Sequence, residues 1–257
     1  RRLPDATVYE GVMFPSFAAG LDAFRDMAQE RAGADVMRLS DACETEATLT
    51  MSGPSGALGS AVGRYLRLRG IPDSGGVLAI LGWEGVGSDG VRARRSASWR
   101  ILKRHGAVSL GGRAGESWRS GRFSGPFLRD ALMDHGYLVE TLETATHWSN
   151  YTALHDTVTE TLRTELHSPP GPFVMSHVSH VYETGASLYT TVLAVADLAD
   201  PVGQWLRAKR AVSDAIMSAG ATITHHHAVG RDHAPWLAAE VGPLGVEVLR
   251  AAKAVVD

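Results

Sequence analysis

The chain has 257 residues, a formal net charge of −3 and one cysteine, Cys43. That length can build one large domain or two small ones, the charge offers no footprint for nucleic acid, and a lone thiol excludes an internal disulfide and suits a reducing, cytoplasmic setting. No apolar run approaches the roughly 18–20 residues of a membrane span, and residues 1–14 lack the continuous apolar stretch of a secretory signal.

In chain order, "PSFAAGLDAFRDMAQERAG" predicts a helix capped by Ser16, with Phe17, Leu21, Phe24 and Ala28 on one stripe and Gly33 as its stop. "DVMRLS" is extended. "MSGPSGALGSAVG" is glycine-rich but lacks the GxGxxG spacing and a preceding strand, and is expected to be a loop. A strand "VLAILGW", a helix through "GVRARRSASWRILKRHG" and a strand "AVSLGG" complete a first β-α-β/β-α-β set. The second set begins with "GYLVETLE" and an amphipathic helix whose stripe is Tyr151, Leu154, Val158, Leu162 and Leu166. "PFVMSHVSHVY" and "ASLYTTVLAVAD" predict an antiparallel hairpin turning near Glu183–Gly185. The next helix is capped by Asp200, carries Pro201 in its first turn, ends at Gly220 and leads into a strand "ATITHHH". Two such β-α-β-β-α-β halves, about 1–112 and 137–228, give an α+β fold, a duplicated ferredoxin-like domain with an antiparallel sheet flanked by helices. A helical segment, 233–257, follows.

The histidine triplet His225, His226 and His227 is the first candidate for chemistry, because imidazoles titrate near neutrality and each buried ring nitrogen needs a partner. In an extended strand His225 and His227 would share one face and His226 the other. Metal is not expected, because ligands must converge and adjacent strand residues diverge. Tyr189 lies mid-strand on the face of Ser187, Thr191 and Leu193. It is either a packing residue or a proton donor to a neighbouring histidine. His177 and His180, of opposite strand parity, are read as structural. Arg113, Arg119 and Arg122 read as solubilising. Arg129, in "PFLRD", lies beside an apolar stripe and is either paired or offered to a carboxylate or phosphate. Arg38 sits at a strand end, with Asp41 or Glu44 as its structural partner.

The segments "FPSFAAGL", "RLSD", "GPFLRD", "LETATHWS", "SHVYETGASLY", "DPVGQWLRAK" and "ITHHHAVGRDHAPW" resemble, in order and spacing, the C-terminal half of the alkyldihydroxyacetonephosphate synthases, which are vanillyl-alcohol-oxidase-type flavoproteins. The resemblance spans essentially the whole chain. It implies an FAD-linked oxidase C-terminal (cap) domain over residues 1–257, with FAD bound mainly by an N-terminal domain outside these residues. It implies exchange of the acyl chain of acyl-dihydroxyacetone phosphate for a fatty alcohol, without net redox, in ether-lipid synthesis. By position it assigns a catalytic tyrosine to Tyr189, an anion-binding arginine to Arg129, the histidines required for activity to His225, His226 and His227, and a further required arginine to Arg38. Ala228 departs from members that have glycine after the triplet. A homodimer and peripheral membrane contact are compatible with this reading. Two other functions stay open: an FAD-dependent oxidoreductase acting on a hydroxy acid or alcohol, and a non-catalytic binding domain if no FAD domain lies upstream.

Overall fold

Ser16, Asp41 and Asp200 each accept a hydrogen bond from the backbone N–H three residues ahead, and each starts a helix. The computed structural model describes residues 3–256, the side chains of residues 125 and 126 excepted. The chain runs β1 (Ala6–Phe14), α1 (Phe17–Gln29), β2 (Val36–Ser40), α2 (Ala42–Ser52), α3 (Gly56–Leu68), β3 (Val77–Gly85), α4 (Ser88–Arg104), β4 (Val108–Gly111), α5 (Gly112–Gly121) and α6 (Gly125–Asp134). It continues through β5 (Tyr137–His147), α7 (Tyr151–Glu165), β6 (Phe173–Val181), β7 (Gly185–Val195), α8 (Pro201–Ser218) and α9 (Ala234–Val256). α9 bends at Gly242, where φ is 73°, just ahead of Pro243.

All seven strands form one antiparallel sheet in the order β4-β1-β3-β2-β6-β7-β5. β4-β1-β3-β2 is the ferredoxin-like order, and β6-β7-β5 repeats three quarters of it. The two units join through β2 and β6, where Leu39 faces Val178 and Ser40 faces His177. The main core lies on one face, with Leu21, Phe24 and Met27 of α1, Leu102 of α4, Leu154 and Leu162 of α7 and Val212 of α8 packed on the strands. Burying side chains such as Phe14, Phe24 and Trp83 contributes roughly 1.5–3 kcal/mol each. A smaller cluster of Tyr9, Met13, Ile80 and Val108 fills the opposite face of the first unit under Leu66 of α3 and Trp118 of α5.

Two expectations are corrected. The stretch read as a loop over residues 51–63 is the end of α2 and most of α3. One of its glycines has a steric reason to be there: a Cβ on Gly59 would strike the Pro54 carbonyl oxygen. The second is "ATITHHH", which is not a strand. It occupies the place of the missing fourth strand at the open edge of β5, with only Thr222 N–H donating to Ala145 O (3.1 Å) and His225 N–H to Glu143 O (3.0 Å). Regular pairing stops because His226 and Ala228 adopt φ of 60° and 61°, which no strand accommodates.

The hairpin between β6 and β7 forms as expected, and Gly185 opens β7 opposite His147. An added Cβ there would lie against the Thr146 carbonyl oxygen and the His147 Cα, both backbone atoms. Gly185→Ala is therefore expected to cost about 1–3 kcal/mol, read as a lower denaturant midpoint at unchanged m-value.

Candidate functional site

Register places the site. His177 on β6 faces Tyr189 on β7, and Tyr189 faces Glu143 on β5, so the three side chains form one row on one face. Burial alternates along β7, with Leu188, Thr190, Val192 and Ala194 buried under the helices and Tyr189, Thr191 and Leu193 half-buried on the other side. α7 and α8 cover the first face of this unit. Elsewhere on the unit α2 reaches β6 and α6 reaches β5.

At the β6 end of the row, Arg38 donates to His177 Nε2 (2.8 Å) and to Glu44, while His177 Nδ1 lies 3.1 Å from Glu44 Oε2. An arginine can only donate, so Nε2 carries the lone pair and Nδ1 keeps its proton for Glu44. Burial pushes His177 below its ordinary value, in keeping with a neutral ring. Burial would also push the Glu44 carboxyl up, but His177 and Arg38 outweigh that and hold it at about 2. Arg38 thus takes Glu44 of its two sequence candidates, while Asp41 caps α2 and accepts from Ser176 N–H (2.9 Å). Through this triad His177 is held flat against Tyr189, the rings stacked at 4.8 Å.

At the other end, the Tyr189 ring meets His227 edge-on at 5.5 Å. Among the described residues the Tyr189 hydroxyl has no hydrogen-bond partner, so it is available to a ligand. The triplet does not alternate. His227 N–H closes back on His225 O (2.8 Å) around His226 at positive φ, a γ-turn that gathers all three rings. His225 Nδ1 lies 3.4 Å and His227 Nε2 3.6 Å from the two oxygens of Glu143. His226 Nδ1 lies 3.1 Å from His180 Nε2. His180, read as structural, belongs to this cluster because a β-bulge between Val178 and Val181 turns it toward the β5 edge. Burial and the neighbouring His226 push it below its ordinary value.

Adjacent residues of the triplet therefore converge: Glu143, His180, His225 and His226 bring one donor atom each within 4.8 Å of one another, a spacing compatible with a cation. The structure does not bring Arg129 into this cluster. Its guanidinium donates to Val139 O (3.2 Å) and Glu140 (3.1 Å) on β5, three residues from Glu143, or roughly 10 Å along the strand. Of the other expected surface arginines, Arg119 pairs with Glu116 (3.3 Å) and lies over the Tyr9 ring.

Sequence reasoning missed Glu143, Tyr182 and Lys209. Tyr182 places its hydroxyl 3.0 Å from His225 Nε2. Lys209 donates to His233 Nε2 (2.9 Å), and His233 Nδ1 lies 3.1 Å from Ala228 O, tying the loop after the triplet to α8. Burial pushes the Lys209 amine down. The signal available for Glu143 was a carboxylate inside the strand pattern "LVETLE", on the same parity as the half-buried face.

The family model "FAD linked oxidases, C-terminal domain" matches residues 3–257, and the chain belongs to that family. Among curated relatives it is similar to alkyldihydroxyacetonephosphate synthases, at 28% identity over 99% of the chain for that of Dictyostelium discoideum and 24% over 100% for that of Trypanosoma brucei brucei. The chain spans 43% of the length of each. Among solved structures, an alkyldihydroxyacetonephosphate synthase superposes on the whole chain with a TM-score of 0.80 at 24% identity, over 44% of its own length. The 4-ethylphenol oxidase from Gulosibacter chungangensis covers 86% of the chain and 46% of its own, with a TM-score of 0.53 at 12% identity. Among the described residues no helix is long and apolar enough to cross a membrane.

Two measurements follow from this geometry. Glu44 is depressed from its ordinary 4.5 to about 2, so its contribution to stability is complete above pH 4.5 and is lost as pH falls through about 2. The stability difference between the parent protein and Glu44→Gln, followed by urea unfolding, is expected to be flat above pH 4.5 and to shrink toward pH 2. Ala228, at positive φ, pays for a conformation that glycine adopts freely, and Ala228→Gly is expected to stabilise by up to about 1 kcal/mol. The same unfolding curves read it as a raised midpoint.

Proposed function

We propose that this chain is the substrate-binding and catalytic domain of an FAD-dependent enzyme of the alkyldihydroxyacetonephosphate synthase kind. In that reaction the acyl chain of acyl-dihydroxyacetone phosphate is replaced by a fatty alcohol to make an ether bond. The observation that carries the reading is Tyr189, with its ring fixed between His177 and His227 and its hydroxyl unpartnered on the open face. The synthase relatives along the whole chain support the substrate class.

The residues fit a flavin ring but not a whole dinucleotide. The open face offers flat rings at His177, Tyr189 and His227, which would flank the isoalloxazine. The glycine-rich stretch over residues 51–63, which lacks the GxGxxG spacing, holds the end of α2 and the start of α3 and forms no pyrophosphate loop. When bound, FAD supplies a covalent trap for the substrate carbon without net redox. The protein's own part is proton movement and anion binding. Tyr189 would give or take the proton at the reacting carbon, and His227, against its ring, would relay it to the cluster of His225 and His226. Arg38 would act by holding His177, directly at Nε2 and through Glu44 at Nδ1, so that the His177 ring backs the Tyr189 ring. Arg129, with a half-exposed guanidinium at the strand edge, would exchange Glu140 for a substrate phosphate or carboxylate. Peripheral contact with a membrane, supported by the exposed Leu58, Tyr65 and Leu68 of α3, and a homodimer in the cytoplasm complete the proposal.

Tyr189→Phe in the whole enzyme tests it. Loss of the hydroxyl is expected to lower turnover by about 10²–10⁴-fold with fold and flavin content unchanged. Measured acyl-for-alkyl exchange near the parent rate would make Tyr189 a packing residue.

A further inference from the structure

The sequence motif "LETATHWS" has no part in the mechanism above, yet its glutamate is the point on which the histidine cluster converges. Glu143 lies mid-strand on β5, opposite Tyr189, with its side chain 3% exposed. One oxygen, Oε1, accepts from the Ser179 hydroxyl (3.1 Å) and lies 3.4 Å from His225 Nδ1 and 3.8 Å from His180 Nε2. The other, Oε2, faces His227 Nε2 at 3.6 Å. The backbone of the same residue accepts the N–H of His225 (3.0 Å). No arginine or lysine pairs with this carboxylate among the described residues. A carboxylate this buried is costly unless it is satisfied, and here its only donors besides one hydroxyl are imidazoles.

We propose that Glu143 is a positioning residue: it fixes the ring orientation and tautomer of His225 and His227, and through His227 the edge-on contact with Tyr189. A carboxylate accepts only, so it selects the tautomer in which His225 Nδ1 carries the proton, and its charge favours a proton on His227 Nε2, which faces it at 3.6 Å. The other nitrogen of His225 then faces the Tyr182 hydroxyl as an acceptor, and that of His227 is left with a lone pair to receive a proton. The γ-turn supplies the reason an anchor is needed. His226 and Ala228 sit at positive φ, conformations costing of order 1–3 kcal/mol each, which persist only where surrounding contacts impose them. Glu143 contacts the segment through both backbone and side chain.

This inference rests on the reading of Tyr189 and the histidines as the proton-transfer groups, so the test has one readout that needs no substrate. In the whole flavin-loaded protein, Glu143→Gln and Glu143→Asp are treated with diethyl pyrocarbonate, and carbethoxylation of each histidine is followed by peptide mass spectrometry. His225 and His227 are expected to react severalfold faster in both variants, with Gln above Asp. His105 and His155, held by Asp26 and Asp41 elsewhere in the fold, are expected to keep the parent rate. In steady state, kcat is expected to fall by roughly 10²-fold while KM stays within about twofold, as for a catalytic group displaced rather than removed. Unchanged reactivity of His225 and His227, an equal rise at all four histidines, or failure of both variants to fold would overturn the proposal and leave Glu143 a residue of general stability. A stoichiometric metal in the parent protein that both variants lose would overturn it as well, by making Glu143 a ligand. Selective loosening of His225 and His227 with unchanged turnover would uphold Glu143 as their anchor and instead refute the proton-transfer role given to the histidines.

Discussion

Pairing register decides which side chains share a face of a sheet, and a slip of one residue would send every one of them to the other side. Here three antiparallel strands put His177, Tyr189 and Glu143 in a single row. The site depends on that row: the triad behind His177 acts on Tyr189 from one side, and the histidine turn beyond Glu143 acts on it from the other. Because β5, β6 and β7 also bury Leu142, Val174, Val178, Leu188 and Val192 under α7 and α8, the hydrophobic core enforces the register that the polar face needs. Packing on one side of the sheet thereby sets geometry on the other.

Two irregularities complete what regular pairing cannot. The bulge in β6 moves His180 toward the β5 edge, and the positive φ values of His226 and Ala228 end the extended run just as the rings reach Glu143. An ideal fourth strand would have sent His226 to the core side. The protein forgoes several ladder hydrogen bonds at this edge and accepts backbone strain, a pattern found where a segment is shaped for function.

Most of the architecture was legible because it is written in periodicity. The stripes of α1 and α7, the caps at Ser16 and Asp200 and the β6–β7 hairpin follow from local rules, and the ferredoxin-like order follows from the sequence of elements. Misreadings arose where tertiary context prevails. Glycine composition suggested a loop where α3 forms, since single-residue helix propensity is a weak guide. β-branched residues in "ATITHHH" suggested a strand, since nothing local announces that a histidine and an alanine will take positive φ. At the site, Tyr189 and the triplet could be singled out by residue type. Glu143 and Tyr182 were missed and His180 was read as structural, because their roles come from register, a bulge and a turn that only the folded chain defines. For Arg38 the sequence offered Asp41 or Glu44, and the fold takes Glu44, but its hold on His177 spans 139 positions of sequence.

The two units of the sheet have taken different parts. In the first, both faces are covered: one by the shared core, the other by Tyr9, Ile80 and Val108 beneath α3 and α5. In the second, the face of Tyr189 is only half-covered. The triad that steadies this face draws Arg38 and Glu44 from the first unit and His177 from the second, across a seam of two residue pairs. If the halves descend from a doubled ancestor, one copy has surrendered its own reactive surface and become a brace for its sibling. Such a division makes the pair inseparable, since a lone second copy would keep its tyrosine and histidines yet lose the cationic strut that holds them in line.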